Sequence, residues 1–357
     1  MLFYIDKSIG NAIETSTFSE VEFSVFQSLA VAVQKGRCIV CGEYHSLFIL
    51  SNRDDNIGYV FKKILSKYAT HRAILEKVNP VFCICKNEAR GLPSFLSEKT
   101  IEIQIDQIIN CQWDLFEKCA LVCENQNDCV YYSLLGLDYC NHHSISEYTI
   151  DFTYQGGGGQ TTAIAFENMV RRERRPALCV VDSDKKHGNN CPLGKTCVDV
   201  QNISASFSES EPPFRTIVLP VHEVENIIPL IILSKVYQDM STIDSKIQLL
   251  KKLARIDNGR PLLYFDLKQG HSDMLSADDA SHYWNQIVSE HQIDLTEFNN
   301  SLPAIVDRKY LSKAITKLRE IIVNHEVLEF EECIADMIFQ LEITTFSWGC
   351  VGYPMYA

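Results

Sequence analysis

The chain has 357 residues, 46% of them hydrophobic and 22% charged, a composition that excludes a disordered or fibrous protein and allows two or three folded domains. Its 46 acids outnumber 33 lysines and arginines for a formal net charge of −13, which excludes a general polyanion binder; nucleic acid would have to be met through a local basic patch or a partner. No stretch approaches about 18 consecutive apolar residues, so no membrane span is expected, and MLFYIDKSIGNAIE lacks the basic and apolar segments of a secretory signal.

Residues 1–115 predict a small α/β domain of unassigned role. Ser19–Val33 has an amphipathic helical pattern, CIVCGEY reads as a strand, Asn56–Tyr68 as a helix and VFCICK as a strand. KNEARGLPSFLSEKT reads as a loop, and the strict alternation of IEIQIDQII as an edge strand or the lead-in to the next domain. The fourteen cysteines, with no secretion signal beside them, are expected to be reduced thiols in a cytoplasmic protein.

Residues 116–235 follow a β-α-β-α-β pattern. CALVC is the first strand, with a helix from about Asp128 to Leu137. TIDFTYQ is the second, followed by a glycine turn and a helix from about Thr161 to Glu173. ALCVVD is the third, and RTIVLPV the fourth, reached through a long polar loop at 185–213. Apolar strands alternating with helices predict a parallel sheet covered on both faces. Ligand sites in such sheets lie at the carboxyl ends of the strands.

Residues 236–357 predict a mainly helical region: Ser241–Ile256, Ala277–Glu290, Asp307–Val323 and Leu328–Leu341, interrupted by a strand-like RPLLYFDLKQG. The tail TFSWGCVGYPMYA should pack through Phe346, Trp348 and Tyr353, which carry large apolar area.

Acids stand where the strands end. Glu124 closes the first strand and Asp128 follows one helical turn later. Asp182 and Asp184 flank Ser183 after the third, and Glu223 and Glu225 follow the fourth. Alternate residues of an extended chain share a face, so each pair could address one ion. Phosphodiester hydrolysis needs an activated water and a counter to the leaving oxygen's charge, which two divalent ions about 4 Å apart supply. Mg²⁺ or Mn²⁺ held by carboxylates is the expected cofactor.

A glutamate closing the first strand, a glycine turn after the second and an Asp-x-Asp closing the third resemble the Toprim pattern. HEVENIIP is similar to the acidic Glu-Asn segment of OLD-like (overcoming-lysogenization-defect) nucleases and related phage-defence effectors. The resemblance covers about 110 residues. It implies a Toprim-like parallel sheet flanked by helices, and metal binding by Glu124, Asp128, Asp182, Asp184, Glu223 and Glu225. Catalytic roles would fall to Glu124, Asp182, Asp184 and Lys268, the last as a basic residue stabilising charge. It also implies a nuclease acting on DNA or RNA as an anti-phage effector. With no Walker motif in this chain, a separate ABC-type ATPase partner is implied. Asn125 stands where the family usually has glycine; Asn tolerates left-handed backbone. A primase-like nucleotidyl transferase and a non-catalytic Toprim scaffold or regulatory subunit are the alternatives, and a homo-oligomer is left open.

Gly157 and Gly158, at the start of a helix, are candidate phosphate contacts. The run lacks the lysine of a P-loop. Arg171, Arg172, Arg174 and Arg175 form the densest basic cluster, and they and Lys185 are candidate nucleic-acid contacts. Three Cys/His groupings come near zinc-site spacing: Cys38 and Cys41 with Cys83 and Cys85; His187, Cys191 and Cys197; and Cys140, His142 and His143. None has a full set of four ligands at zinc-site spacing, so structural zinc is not expected.

Overall fold

Two parallel sheets organise the chain. The computed structural model describes residues 1–89, 92–188, 191–241, 243–270, 278–293 and 305–355. The expected helix start at Ala277, and parts of the loops near 90 and 189, lie outside them.

The first sheet contains β1 (Leu2–Ile5), β2 (Ile39–Gly42), β3 (Val81–Cys85) and β4 (Thr100–Gln104) in the order β2-β1-β3-β4, all parallel. The first three strands are fully buried, as their unbroken apolar sequences require when helices cover both faces. Those helices are α1 (Lys7–Glu14), α2 (Glu20–Gln34), α3 (Tyr44–Ser51), α4 (Asn56–Ser66) and α5 (Tyr68–Leu75). A capping box between Ser19 and Glu22 starts α2. IEIQIDQII is strand only in its first half: after the edge strand β4 the chain turns into α6 (Ile105–Asn110), because Gln104 and Gln107 form a capping box.

The second sheet contains β5 (Ala120–Cys123), β7 (Thr153–Gly156), β8 (Ala177–Val181) and β9 (Phe214–Val218) in the order β7-β5-β8-β9, again all parallel. Its helices are α7 (Gln126–His142), α8 (Thr162–Glu167), which ends in a π-helical turn over Asn168–Arg172, and α9 (Lys195–Ala205). The α9 helix corrects the expected 185–213 loop. Cys197 and Val200, both buried, and half-buried Ile203 give this polar segment a sparse apolar stripe that packs on the sheet.

The expected second strand is split. β6 (Tyr148–Ile150) leaves the sheet to pair antiparallel with the C-terminal β10 (Cys350–Gly352), and β7 alone pairs with β5. Phe152 at the break is buried against Gly349, where a Cβ would come within 2.2 Å of its ring.

After the second sheet come α10 (Leu230–Val236), α11 (Ile243–Arg255), α12 (Arg260–Tyr264), α13 (Asp278–Glu290), α14 (Tyr310–Val323) and α15 (Glu332–Gly349). RPLLYFDLKQG is therefore helical at its start, with Pro261 in the first turn where its missing N–H costs nothing. α15 runs further than expected and buries Phe346 and Trp348, whereas Tyr353 is 61% exposed, which corrects its expected burial. Among the described residues no helix is long and apolar enough to cross a membrane.

Arg175 fastens the amino ends of three strands. Its Nη2 donates to the Lys118 carbonyl at 2.5 Å, just before β5, and to Thr153 Oγ1 at 2.7 Å, at the start of β7; Arg175 itself leads into β8. Replacing a partly buried donor with two such acceptors costs on the order of 1–3 kcal/mol. Arg175→Ala is expected to lower unfolding stability by about that amount, read from the urea midpoint.

Candidate metal centre

In the second sheet the chain goes from β5 to β7 on one side and then to β8 on the other, so the crevice between β5 and β8 opens at their carboxyl ends. Glu124 follows β5 directly. Asn125, at φ −129°, is extended rather than left-handed, so this turn has no need of glycine. Asn125 caps α7 in a capping box: its N–H donates to Asp128 Oδ2 at 2.8 Å. Asp128 is thus both a helix cap and a wall of the crevice.

The glycine turn braces this corner. Gly157 N–H donates to the Cys123 carbonyl and Gly158 N–H to the Glu124 carbonyl, each at 2.8 Å. Those amides hold the backbone carrying Glu124 and are spent there, so they are not phosphate donors as expected from the sequence. Gly157 has no room for a side chain, since a Cβ would lie 2.3 Å from Thr162.

Asp182 follows β8. Ser183 is buried and its hydroxyl donates to the Val221 carbonyl. Asp184 has φ +54°, so the expected extended pairing with Asp182 does not hold. Its N–H bonds the His222 carbonyl at 3.0 Å, and its carboxylate lies over Gly194, the residue that caps α9. Glu223 and Glu225 also do not sit on an extended strand. Glu223 caps a 3-10 turn, Val224–Ile227, that holds Glu225. Both reach Lys268 Nζ, at 3.1 and 3.0 Å.

Lys268 is itself positioned. Asp266 Oδ1 accepts the N–H groups of Lys268 at 2.9 Å and Gln269 at 2.7 Å, while Asp266 Oδ2 lies 3.5 Å from His222 Nε2. Sequence reasoning missed His222 and Asp266. The signals were there: a histidine directly before Glu223, and an aspartate two residues before Lys268, the spacing of an Asx-type turn.

Asp128, Asp182, Glu225, Lys268 and Arg308 line one cavity of about 370 Å³. A larger one, about 560 Å³ between α2 and residues 108–117, has no convergence of acids from separate strand ends. Chemistry rather than volume selects the smaller. Arg308, an exposed cation at the rim, also went unnoticed in the sequence.

Crowding shows in the proton affinities. Burial, then Asp184 and Asp128, push the Glu124 carboxyl up to about 7. Burial pushes Asp128 up to about 6 despite the Asn125 amide. Burial, with Asp128 and Glu124 next, drives Asp182 well above the carboxylate range. Burial also raises Asp184 and Glu225. It would lower Lys268, but Glu225 and Glu223 outweigh it and hold the ammonium above its usual value. Burial likewise opposes charge on His222, and Asp266 reverses that.

Among the described residues, no three of the six expected ligands bring oxygens within 4.8 Å of one another; the compact group here is His222, Glu223 and Asp266. The donor set nevertheless fits a hard divalent cation. Glu124 Oε1 and Glu225 Oε2 are buried with no hydrogen-bond partner, and the remaining donors are carboxylates.

The arginine cluster lies at the other end of the strands. β8 separates Arg175 from Asp182 by roughly 3.3 Å per residue. Arg171 is engaged by Glu167 at 2.6 Å and by the Ser206 carbonyl at 2.7 Å, Arg174 bonds the Ser210 carbonyl, and Arg172 is exposed. The structure does not bring these four to the acids, whereas Lys185 lies three residues beyond Asp182 with its N–H on Ser183 Oγ.

All fourteen cysteines are free thiols. Burial pushes Cys38 and Cys85 up to about 12 and Cys41 up to about 11, which disfavours thiolate ligation. No known family model matches the chain, and no curated protein or solved structure matches it.

A raised carboxyl pKa means that the folded state holds its proton more tightly than the unfolded chain. The stability this contributes is complete below the ordinary value and is lost as pH rises through the folded value. For Glu124 that window runs from 4.5 to about 7. In a chelating buffer, Glu124→Gln, which cannot ionise, is expected to gain stability relative to wild type across it. Parallel plots of urea midpoint against pH would refute the burial of Glu124.

Proposed function

We propose that this chain is a divalent-cation-dependent phosphodiester hydrolase of nucleic acid, of the Toprim type and nearest to the OLD-like nucleases. One observation carries the reading: acids following three parallel strands meet a half-buried lysine in one crevice at the sheet's switch point. Glu124, Asp182 and Asp184 would hold the cation, Mg²⁺ or Mn²⁺, with Asp128 and Glu225 beside them. When bound, the cation supplies charge neutralisation at the phosphate and a more acidic water.

Glu124, at the mouth of the same crevice, would hold the ion or orient the attacking water. Lys268 is held as a fixed positive charge for the leaving oxygen. Lys185 and Arg308 would seat the phosphate backbone, in place of the arginine cluster. Because Lys268 already stands between Glu223 and Glu225, the structure favours one divalent ion plus this ammonium over the two ions expected from the sequence. The separate ATPase partner and the anti-phage role belong to the same proposal and rest on the resemblance alone.

The test is cleavage of labelled DNA and RNA, single- and double-stranded, with Mg²⁺ or Mn²⁺. Glu124→Gln, Asp182→Asn and Lys268→Ala are each expected to cut the rate by about 10²-fold or more, and Arg172→Ala to leave it unchanged. Absence of cleavage with every substrate and both ions, or full activity in Asp182→Asn, would sink the reading. Nucleotide incorporation instead of cleavage would indicate a nucleotidyl transferase.

Gly194→Ala tests the metal shell from outside. At φ −60° the backbone accepts alanine, but its Cβ would fall 1.9 Å from Asp184 Oδ2. Displacing Asp184 is expected to weaken Mn²⁺ binding roughly tenfold while the fold persists, measured by Mn²⁺ titration and circular dichroism.

A further inference from the structure

α7 and α15 pack closely side by side. At Gly136 a Cβ would sit only 3.1 Å from Thr345 Oγ1, and beside this close approach the helices enclose a second polar cluster. Asp138 and His142, one turn apart on α7, face Glu342 on α15, and the three offer ligand atoms within 4.8 Å of one another.

Asp138 is 1% exposed and Glu342 6%, and Asp138 Oδ2 has no hydrogen-bond partner among the described residues. His142 Nδ1 lies 3.8 Å from that oxygen, too far for a hydrogen bond. Two buried carboxyls on facing helices, without a lysine or arginine paired to either among the described residues, are costly as they stand. We propose that Asp138, His142 and Glu342 form a metal site for a divalent transition ion of the Zn²⁺ class.

The donor set selects the ion. One imidazole with two carboxylates suits Zn²⁺, Co²⁺ or Mn²⁺, whereas Mg²⁺ avoids nitrogen. Tetrahedral bonds of about 2.0–2.1 Å place ligand atoms roughly 3.4 Å apart, so the three side chains need only small rotations to close on an ion. His142 is exposed, which leaves an entry path and a fourth position for water. The cysteine and second histidine that flank it in sequence take no part: Cys140 is buried in the core cluster with Tyr139 and Phe346, and the His143 ring lies 4.2 Å from that of Tyr139. The ion would tie the helix that begins at the acidic crevice to the helix that leads into β10, and the site is independent of the proposed hydrolysis.

The experiment uses the full chain carrying Asp182→Asn, which weakens the other centre, stripped with chelator and titrated with Zn²⁺ and with Co²⁺ as a visible probe. One equivalent of Zn²⁺ is expected, with Co²⁺ giving absorption bands of nitrogen–oxygen ligation. His142→Ala, a surface change that leaves folding intact, is expected to weaken binding at least about tenfold, and Glu342→Gln to do the same. No retained Zn²⁺, or unchanged affinity in His142→Ala, overturns the proposal. Glu342→Gln that is more stable and binds Zn²⁺ as before also overturns it, by showing that a shared proton neutralises the pair.

Discussion

Burial of carboxylates that also repel one another, at the carboxyl edge of the second sheet, is the constraint from which the site follows. Left to themselves, Glu124, Asp128, Asp182, Asp184, Glu223 and Glu225 would part or take up protons. The chain answers with fixed positive charge and backbone. Lys268 is clamped between two of them, Asp266 holds the lysine's turn, and His222 holds Asp266. The glycine turn grips the peptide of Glu124, and the amide of Asn125 grips Asp128. This support comes from backbone and buried partners, so it does not depend on flexible surface ion pairs, which contribute little.

α7 connects the parts. Its first turn is capped by Asp128 beside the crevice, its middle anchors the Ile227 carbonyl through the Tyr131 hydroxyl, and its last turns carry Asp138 and His142. α15 lies along it and continues into β10, which reaches back to β6. Strain applied at one end of such a rigid rod is felt at the other, because packed helices transmit displacement rather than absorb it.

The sequence showed the strands of the second sheet because CALVC and ALCVV are unbroken apolar runs. It showed the acids because they follow those runs. It misjudged what the backbone does after a strand ends. Asp184 turns left-handed, so the two-residue spacing does not set it beside Asp182 on one extended face, while Glu223 opens a 3-10 turn and meets Glu225 only through Lys268. Arg171 and Arg175 looked like a phosphate patch because charge is visible in sequence; their carboxylate and carbonyl partners, brought in by the fold, are not. The pairing of Asp138 with Glu342 was hidden for the same reason, since nothing local to either residue announces the other. The overall class, parallel sheets flanked by helices, was legible throughout. The split of TIDFTYQ was not, because β10 arrives from the far end of the chain.

The two sheets share one winding: in each, the first strand lies inside, its successor goes to one side, and the next two go to the other. The first strand of each sheet is followed at once by an acid and a helix, Asp6 after β1 and Glu124 after β5. Asp6 is fully buried and caps its helix through the Ser8 amide at 2.8 Å, so its charge is consumed locally. In the second sheet Asn125 and Asp128 take over the capping, and Glu124 keeps an oxygen free. The molecule thus contains its own comparison: one framework built twice, with the acid spent as a helix cap in the first sheet and left with an unpartnered oxygen in the second.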